Sequence, residues 1–344
     1  MKAHFKKHIL NFKQPSGTSR GVLKTKETYF LIIENKTRKG IGECGLFRGL
    51  SCDDRPDYEE KLQWVCTNID LGKEELLKRV YNMPSLQFGI EQAFLSLDSK
   101  DPFVLFPSNF TKGDASISIN GLIWMGTFDY MKQQINAKLK SGFTTIKLKI
   151  GTLDFDKEID LLRAIRKEYS ANEIELRVDA NGAFSPEEAF EKLQRLSHFE
   201  IHSIEQPILS KQWPEMANLC EKTPLPIALD EELIGIFSDE EKEKLLATIK
   251  PHYIILKPSL IGGLNGSNSW INIAKTYNVG WWITSALESN VGLSAIAQFT
   301  YNLQTKMPQG LGTGNLFTNN FDSPLFVDNG RLHYNPEQAW NFNL

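Results

Sequence analysis

The sequence is poor in cysteine and has no long apolar run, and both shortages exclude classes of protein. Its four cysteines stand at positions 44, 52, 66 and 220, without a Cys-X-X-Cys pair or zinc-finger spacing, so we expect buried or reduced thiols. No run of about 18 apolar residues is available to span a membrane, and no apolar segment behind a basic start indicates a secretory signal. We therefore predict a soluble, cytoplasmic protein without a membrane partner.

An excess of one charge sign is also lacking. The 39 Lys and Arg residues nearly balance the 42 Asp and Glu residues, and both signs are spread along the chain. The chain therefore lacks the basic field that binding to nucleic acid or to an anionic membrane requires. It has no Gly-X-Ser-X-Gly elbow and no Walker loop, and its 6 His residues show no ligand spacing. These absences favour a small-molecule partner and leave the oligomeric state open.

What the sequence does contain is a regular succession of charged residues, each of which closes a short apolar segment. The members of this series are Lys147, Lys149, Asp179, Glu205, Asp230 and Lys257. From Lys149 onward they are roughly 25 to 30 residues apart, which is the length of one strand plus one helix with its loops. Repeated units of this length predict a parallel sheet.

Local signals support a strand and a helix in each interval. Residues 127–141 form an amphipathic run that Gly142 is placed to end. Ser185-Pro-Glu-Glu188 and Ser238-Asp-Glu-Glu241 are capping boxes that open helices after two of the acids. The predicted strands cover residues 144–150, 174–178, 202–204, 226–229 and 253–256.

These units predict the α/β class, as a modified (β/α) TIM-type barrel with an N-terminal α+β capping domain. A doubly wound sheet would gather its site at one switch point, whereas a barrel brings the ends of all its strands together over one face. We expect the first barrel strand at residues 116–120. The predicted domains are a cap at residues 1–115, a catalytic barrel at 116–320 and a C-terminal segment at 321–344 that packs back on the cap or barrel.

Turn and helix signals complete the prediction outside the barrel. Residues 29–34 and 42–44 form a predicted hairpin in the cap, followed by helices at 59–69 and 86–97. Asn329-Gly330 lies between two apolar runs, where a tight hairpin turn is expected.

The three acids of the series would meet on the rim of the barrel, where they repel one another. At 4 Å and an effective dielectric constant of about 20, each pair costs about 4 kcal/mol, so a cation is needed. An all-oxygen set from Asp179, Glu205 and Asp230 favours Mg²⁺ first and Mn²⁺ second. Taken singly, such an acid is more often a helix cap or a solvated charge. The ordered set favours the metal site.

The lysines of the series would enter the mouth of the same barrel. Lys147 and Lys149 project to one side of their strand because side chains alternate between its two faces, and Lys257 approaches from the opposite side. Amines that face each other across a divalent cation suit removal of a proton next to a carboxylate, with the metal stabilising the enediolate. A Lys-X-Lys pair alone would more often be a surface strand face, but Lys257 and the acids reverse that.

The chain resembles the muconate-lactonizing subgroup of the enolase superfamily. Five motifs in order carry the resemblance: Thr145-Ile-Lys-Leu-Lys-Ile-Gly151, Arg177-Val-Asp-Ala-Asn-Gly182, Ile204-Glu-Gln-Pro207, Leu229-Asp-Glu231 and Leu256-Lys-Pro258. Within the subgroup the chain is most similar to the o-succinylbenzoate synthases. That similarity rests on Gly17-Thr-Ser-Arg-Gly21, Gly40-Ile-Gly-Glu-Cys44, Lys257-Pro-Ser-Leu-Ile-Gly-Gly263, Trp281-Trp-Ile-Thr-Ser-Ala-Leu-Glu-Ser289 and Gly310-Leu-Gly-Thr-Gly314.

The resemblance implies a Mg²⁺-dependent carbon–oxygen lyase of menaquinone biosynthesis. Such an enzyme catalyses the syn dehydration of 2-succinyl-6-hydroxy-2,4-cyclohexadiene-1-carboxylate to 2-succinylbenzoate. The implied catalytic residues are Lys149 as the base, Lys257 as the group that stabilises the enediolate, and Lys147 as the group that polarises the metal-bound carboxylate. The implied metal ligands are Asp179, Glu205 and Asp230. Asn181 and Glu231 are implied to support these ligands, or to have a structural role.

The succinyl carboxylate of this substrate needs partners of its own. The candidates are Arg20 in the Gly-flanked loop 17–21, and Ser285, Gly310 and Gly312 near the last strands. Arg20 would otherwise be a solvated charge, although a Gly-flanked loop in the cap could close over the substrate as a lid. Gly310 to Gly314 would otherwise be a tight turn without a ligand.

Two rival functions stay open. Racemisation of an N-acylamino acid or epimerisation of a dipeptide would use the same two opposed lysines, although no Asp-X-Asp pair after Glu288 offers to hold a substrate amine. A non-catalytic barrel that binds a ligand or a partner is expected to have lost a lysine or an acid, and here all are present. The segment Asp230-Glu231-Glu232 departs from the superfamily, where a Ser often follows the Asp-Glu pair, and this leaves the ligand assignment intact.

Overall fold

An antiparallel sheet of two long strands and one short strand begins the chain. The computed structural model describes residues 1–18, 21–151 and 154–344. The strands are β1 (Lys2–Thr18), β2 (Gly21–Glu34) and β3 (Lys39–Cys44), paired in that order. Tyr29 pairs with Cys44 and Glu34 pairs with Lys39. The predicted hairpin is therefore confirmed.

Three helices cover one face of this sheet and complete the cap. They are α1 (Tyr58–Thr67), α2 (Lys73–Arg79) and α3 (Pro84–Asp98), with a 3₁₀ turn at Ile69–Leu71. The helix α3 lies almost in backbone contact with β3, because a Cβ atom on Gly42 would be 1.9 Å from the carbonyl oxygen of Gly89. Tyr29, Leu31 and Leu62 belong to the buried core between helices and sheet.

Alternating strands and helices follow the cap. The chain passes through a two-residue strand, β4 (Ile117–Ser118), and then enters the units β5 (Gly121–Ile123), α4 (Phe128–Lys140), β6 (Thr145–Lys149), α5 (Phe155–Glu168), β7 (Glu175–Asp179), α6 (Pro186–Ser197), β8 (Ser203–Glu205), α7 (Trp213–Lys222), β9 (Ile227–Leu229), α8 (Asp239–Ile249), β10 (Tyr253–Leu256), α9 (Gly263–Thr276), β11 (Gly280–Ile283) and α10 (Asn290–Asn302). The strands β5 to β11 form one parallel sheet in sequence order. The predicted α/β barrel class is confirmed.

The first barrel strand lies later than predicted. The residues that pair with β6 are Gly121–Ile123 of β5, whereas the prediction placed the strand at residues 116–120. Residues 118–120 instead face the closing segment at Gln309, which accepts a hydrogen bond from the Asn120 amide and donates one to the Ser118 carbonyl. The Gly310 amide in turn donates to the Ile283 carbonyl of β11. Residues 309–310 thus bridge both edges of the curled sheet. They do not belong to an apolar run, so the sequence gives no strand signal at this segment.

The helix boundaries follow the capping signals in the sequence. Thr127 caps α4, and Gly142 follows its last turn with φ of 77°. The capping boxes at Ser185 and Ser238 open α6 and α8, with both reciprocal hydrogen bonds formed.

No helix in the described ranges is both long and apolar enough to cross a membrane.

The end of the chain forms a hairpin of β12 (Leu325–Asp328) and β13 (Arg331–Tyr334). Asn329 and Gly330 make its turn with φ of 46° and 66°, as the sequence predicts. The strand β13 pairs with β4, and the Phe342 ring lies 5.3 Å from the Phe30 ring of the cap. The last residues therefore contact both the cap and the segment that leads into the barrel.

A buried carboxylate joins the cap to the barrel. Glu43 of β3 accepts hydrogen bonds from the Ser289 amide at 2.9 Å and from the Gly292 amide at 2.8 Å, at the start of α10. It also accepts hydrogen bonds from the hydroxyls of Thr28 and Ser289.

The four cysteines are free thiols, in keeping with the expectation from their spacing.

Candidate active site

The carboxyl ends of the barrel strands bring the charged series together. Lys149 pairs in register with Asp179, and Asp179 pairs in register with Glu205. Asp230 and Lys257 follow directly after β9 and β10. Side chains of neighbouring parallel strands at the same register point to the same side, so residues spread over more than a hundred positions converge on one site.

Ion pairs link the lysines to the acids. The Nζ atom of Lys147 lies 2.9 Å from Oδ2 of Asp179 and donates a hydrogen bond to Oε2 of Glu205. The Nζ atom of Lys149 donates to Oδ2 of Asp179 at 3.0 Å, and Lys257 donates to Oδ2 of Asp230. All three acids are buried, with exposed fractions of 1–2%. The predicted catalytic and metal-binding residues therefore form two groups of ion pairs at the same end of the barrel: Lys147, Lys149, Asp179 and Glu205 in one, and Lys257 and Asp230 in the other.

The charges in this cluster oppose the effect of burial. Burial by itself would lower the pKa of Lys147, but the carboxylates of Asp179 and Glu205 hold it above its ordinary value. The pKa of Lys257 is raised in the same way, against burial, chiefly by Asp230. Burial would raise the pKa of Asp179, but Lys147 and Lys149 hold it well below its ordinary value. Asp179 is thus the carboxylate that the lysines keep ionised.

Glu205 is the carboxyl group with the least compensation. Burial and the neighbouring Asp179 charge raise its pKa well above the ordinary value, although Lys147 opposes them. Its Oε1 atom is buried and has no hydrogen-bond partner among the residues that the structure describes. An orphaned carboxylate oxygen beside two further buried acids fits a hard divalent cation, which takes oxygen ligands. The Lys147 ammonium group contacts both Asp179 and Glu205. The described residues contain no group of three His, Cys, Asp or Glu side chains already placed to hold one metal ion.

Asn181 and Glu231 stand next to this cluster and contact each other. The side-chain amide of Asn181 accepts from Lys149 at 2.7 Å and donates to Oε1 of Glu231 at 2.9 Å. The Asn181 backbone has φ of 45°, and its amide donates to Oδ1 of Asp179 at 3.0 Å. Both residues therefore lie where they can orient the predicted base.

A further positioning residue, Gln206, was not singled out from the sequence. It is fully buried, and its Oε1 atom accepts hydrogen bonds from the amides of Asp230 and Glu232. Glu232, at the position where the superfamily often has a Ser, accepts a hydrogen bond from the Lys211 backbone amide at 2.7 Å. Gln206 lies inside the superfamily motif Ile204-Glu-Gln-Pro207. The feature of the sequence that could have identified it is its position directly after Glu205, a predicted metal ligand.

The pocket above the cluster is walled by cap and barrel together. Leu23, Phe47 and Leu50 line it from the cap, opposite Lys149 and Lys257. Its remaining walls include Leu122, Trp124, Asn120, Thr313 and the segment 284–287. A mostly apolar wall above a charged floor suits a small ligand with an apolar ring and a carboxylate.

The predicted substrate contacts lie in different places. Ser285, Gly310 and Gly312 line the pocket, whereas Arg20 lies outside the described residues. The amides of Ser285 and Gly310 already donate to backbone carbonyls of the barrel closure, and the Ser285 hydroxyl donates to Glu288 at 2.6 Å. A Cβ atom on Gly310 would lie 2.0 Å from Oγ1 of Thr284. This close approach is a packing reason for glycine at position 310.

Comparison with known proteins agrees with this arrangement. The family model described as "Enolase C-terminal domain-like" matches residues 130–338. An o-succinylbenzoate synthase from Desulfotalea psychrophila is 45% identical over 96% of this chain and 98% of that protein. The crystal structure of MenC from the same organism has a TM-score of 0.87 at 42% identity, covering 97% of this chain and 99% of that chain.

A more distant structure shows how widely the fold is shared. The L-Ala-D/L-Glu epimerase from Bacillus subtilis has a TM-score of 0.83 at 19% identity and covers 97% of this chain and 96% of that chain. At that identity the similarity concerns the fold alone. Members of the enolase superfamily generally use Mg²⁺. On the matches at 42% and 45% identity, the chain belongs to the o-succinylbenzoate synthase family of the enolase superfamily.

Proposed function

We propose that this protein is a Mg²⁺-dependent o-succinylbenzoate synthase. It removes water from 2-succinyl-6-hydroxy-2,4-cyclohexadiene-1-carboxylate and releases 2-succinylbenzoate for menaquinone biosynthesis. The observation that carries the proposal is the convergence of Lys149 and Lys257 on one pocket directly above Asp179. The similarity to an o-succinylbenzoate synthase over nearly the whole chain supports it.

The proposed base is Lys149. Its neutral amine takes the proton from the ring carbon that bears the carboxylate, and the electrons of that C–H bond move into the carboxylate, which becomes an enediolate. They return to the ring as its third double bond as the hydroxyl leaves. The C–O bond to the hydroxyl then breaks, and the Lys149 ammonium returns the proton to the departing oxygen as water. Because proton and hydroxyl leave from the same face, one lysine serves both steps and ends in its starting state. The aromatic ring that forms supplies the driving force.

The other two lysines are proposed to stabilise the negative charge that develops on the substrate. Lys147 lies between Asp179 and Glu205, next to the position proposed for the ring carboxylate. Lys257 approaches from β10, on the other side of the pocket, and would stabilise the negative charge as it forms. Charge stabilisation of this kind by preorganised groups in a buried site contributes several kcal/mol in enzymes.

Asp179, Glu205 and Asp230 are the proposed ligands of Mg²⁺, with Mn²⁺ as the second choice of cation. The orphaned Oε1 atom of Glu205 supports this assignment. The bound cation would act as a Lewis acid on the ring carboxylate and lower the energy of the enediolate. Asn181 and Glu231 are proposed to hold Lys149 in position. A cytoplasmic location stays a prediction.

A second function is favoured by the same opposed lysines. Amines on two sides of one pocket also suit racemisation or epimerisation, in which one removes an α-proton and the other returns it from the opposite face. A barrel that only binds a ligand would not need these lysines to be placed so. The dehydration is preferred because the relative that is 45% identical over 96% of this chain carries that name.

The test follows the loss of cyclohexadiene absorbance with freshly prepared substrate and Mg²⁺. We expect rapid conversion by the wild type, none after EDTA treatment, and a loss of about 10²- to 10⁴-fold in Lys149→Ala, the usual contribution of an acid–base group. Lys132→Ala, an exposed lysine of α4, is the matched control.

Failure of the folded, Mg²⁺-loaded wild type to convert this substrate would contradict the proposal. The alternative function as a racemase or epimerase would then be tested in deuterated water. The measurement is the exchange of the α-proton of N-acylamino acids and dipeptides for deuterium.

A further inference from the structure

A second cavity adjoins the pocket on the side of the cap. Its volume is about 410 Å³, and Leu23, Phe47 and Leu287 line both it and the pocket. These shared walls are apolar, and Leu23 belongs to the strand β2. A ligand whose ring lies over Lys149 therefore has a second cavity next to it, bounded by the same three side chains.

Lys26 of β2 lines this second cavity and is buried, with 6% of its surface exposed. Its Nζ atom has no hydrogen-bond partner in the described part of the chain. An ammonium group carries three donors, and leaving a buried charge without partners is costly. Burial lowers the pKa of Lys26, and the carboxylates of Glu43 and Glu288 oppose that effect.

Neither of these carboxylates is bonded to Lys26. Glu43 is satisfied by the groups at the start of α10 and by Thr28. Glu288 accepts from the hydroxyls of Ser259 and Ser285 and from the Ala286 amide. The two acids balance the charge of Lys26 from a distance, and its donors stay available to another acceptor.

The other described cations around the two cavities are already engaged. Lys147, Lys149 and Lys257 are paired with the acids of the active site. Arg48 donates to Glu27 and Asp54, each at 2.7 Å. The acid of the second cavity, Glu27, is likewise paired with Lys7 and Arg48. Lys26 is thus the cation without a partner among the described residues that line either cavity.

We propose that Lys26 binds the carboxylate at the end of the substrate's acyl chain. This inference rests on the proposed function, which supplies a substrate with two carboxylates. The ring carboxylate belongs with the lysine cluster, and the methylene groups of the succinyl chain pass between Leu23, Phe47 and Leu287. The terminal carboxylate then reaches the second cavity, where it gives the Lys26 ammonium its missing acceptor.

The test compares two ligands that differ only at the end of this chain. Binding of 2-succinylbenzoate and of 2-butanoylbenzoate, in which a methyl group replaces the terminal carboxylate, is measured by calorimetry with the Mg²⁺-loaded protein. We expect Lys26→Met to weaken binding of 2-succinylbenzoate roughly 10- to 100-fold, the range for hydrogen bonds between charged groups. Its affinity for 2-butanoylbenzoate is expected to stay within about threefold of the wild type.

Two further variants and a folding control make the comparison specific. Lys24→Met removes the same charge from an exposed position of β2 and should leave both affinities unchanged. Methionine has nearly the length of lysine and no unpaired charge, so thermal unfolding of Lys26→Met should occur at or above the wild-type temperature. Arg20→Met tests the alternative partner for the same carboxylate.

The outcomes separate this inference from the proposed function. Equal weakening of both ligands by Lys26→Met would assign Lys26 a structural role, and unchanged affinities would remove it from the binding site. Loss of discrimination in Arg20→Met alone would transfer the role to position 20. A wild type that binds neither ligand would overturn the proposed substrate, and the inference with it. Binding that depends on Lys26 without turnover would leave the subsite standing and contradict the reaction.

Discussion

Asn181 accepts a hydrogen bond from the Nζ atom of Lys149 through its side-chain amide oxygen, at 2.7 Å. The other end of the same amide donates to Glu231, and the Asn181 backbone amide donates to Asp179. The proposed base is therefore held by a neutral group that is itself fixed at two points. Such a contact orients the amine and adds no charge next to it.

Asn181→Gly should separate orientation of the base from binding. Glycine removes the amide and accepts the positive φ of this position, so the backbone is not strained. We expect kcat to fall about 10- to 100-fold, as for other residues that orient a catalytic group, with little change in the affinity for 2-succinylbenzoate. Asn278→Gly, at an exposed asparagine with φ of 55°, is the matched control. A kcat within about twofold of the wild type would remove Asn181 from the mechanism.

Glu205→Gln should abolish stabilisation by Mg²⁺. A ligand that binds only the folded state raises the free energy of unfolding by about 2.7 kcal/mol at 100 times its Kd, so MgCl₂ should raise the melting temperature of the wild type. In EDTA the variant should be about as stable as the wild type, because burial already disfavours the Glu205 charge. Differential scanning fluorimetry with and without MgCl₂ measures both, with the exposed Glu191→Gln as control. A full Mg²⁺ shift in Glu205→Gln would contradict the assignment of this ligand.

Stability should fall as the pH rises from about 4.5 to 7, through Glu91 of α3. Burial raises the pKa of Glu91 from 4.5 to about 7, although the amides of Leu264 and Asn265 donate to it. Between these values the folded protein binds the proton and the unfolded chain does not, so the free energy of unfolding decreases with pH. The loss amounts to up to about 3 kcal/mol.

Glu91→Gln should flatten this pH dependence in urea unfolding at pH 5, 6 and 7. A smaller slope should remain, because burial also raises the pKa of Asp53 to about 6. Glu74→Gln, an exposed residue of α2, should keep the wild-type slope. If Glu91→Gln and the wild type show the same slope, Glu91 is not the group that titrates.

Gly42→Ala should destabilise the protein strongly. The added methyl group would lie 1.9 Å from the Gly89 carbonyl oxygen, which is backbone and cannot rotate away, so β3 and α3 must separate. We expect a loss of about 3 kcal/mol or more, at the upper end of the range for overpacking. Gly312→Ala, whose Cβ would meet its nearest atom at 3.4 Å, should change the urea midpoint little. A Gly42→Ala protein as stable as the wild type would show that the cap tolerates a wider spacing.

The sequence predicts the barrel and its charged floor well because both depend on a repeat. Lys149, Asp179 and Glu205 each end an apolar run, and the register of the strands makes them neighbours. The closing link at Gln309 and Gly310 has no such run, and the first strand was placed too early as a result. Partnerships that depend on burial in three dimensions were also missed. In the sequence Lys26 is one of several lysines in a strand where polar and apolar residues alternate. Its lack of a hydrogen-bond partner among the described residues is evident only in the structure.

The hydrogen bonds of Glu43 make the barrel depend on the cap for part of its stability. The first turn of α10 in the barrel leaves backbone amides unsatisfied, and the acid that accepts from them comes from the cap. A barrel expressed alone would lack this acceptor, so we expect cap and barrel to unfold in a single cooperative transition. Exchange of caps between relatives, as a route to new substrates, would then be tolerated only where the incoming third strand brings an acid at the same position.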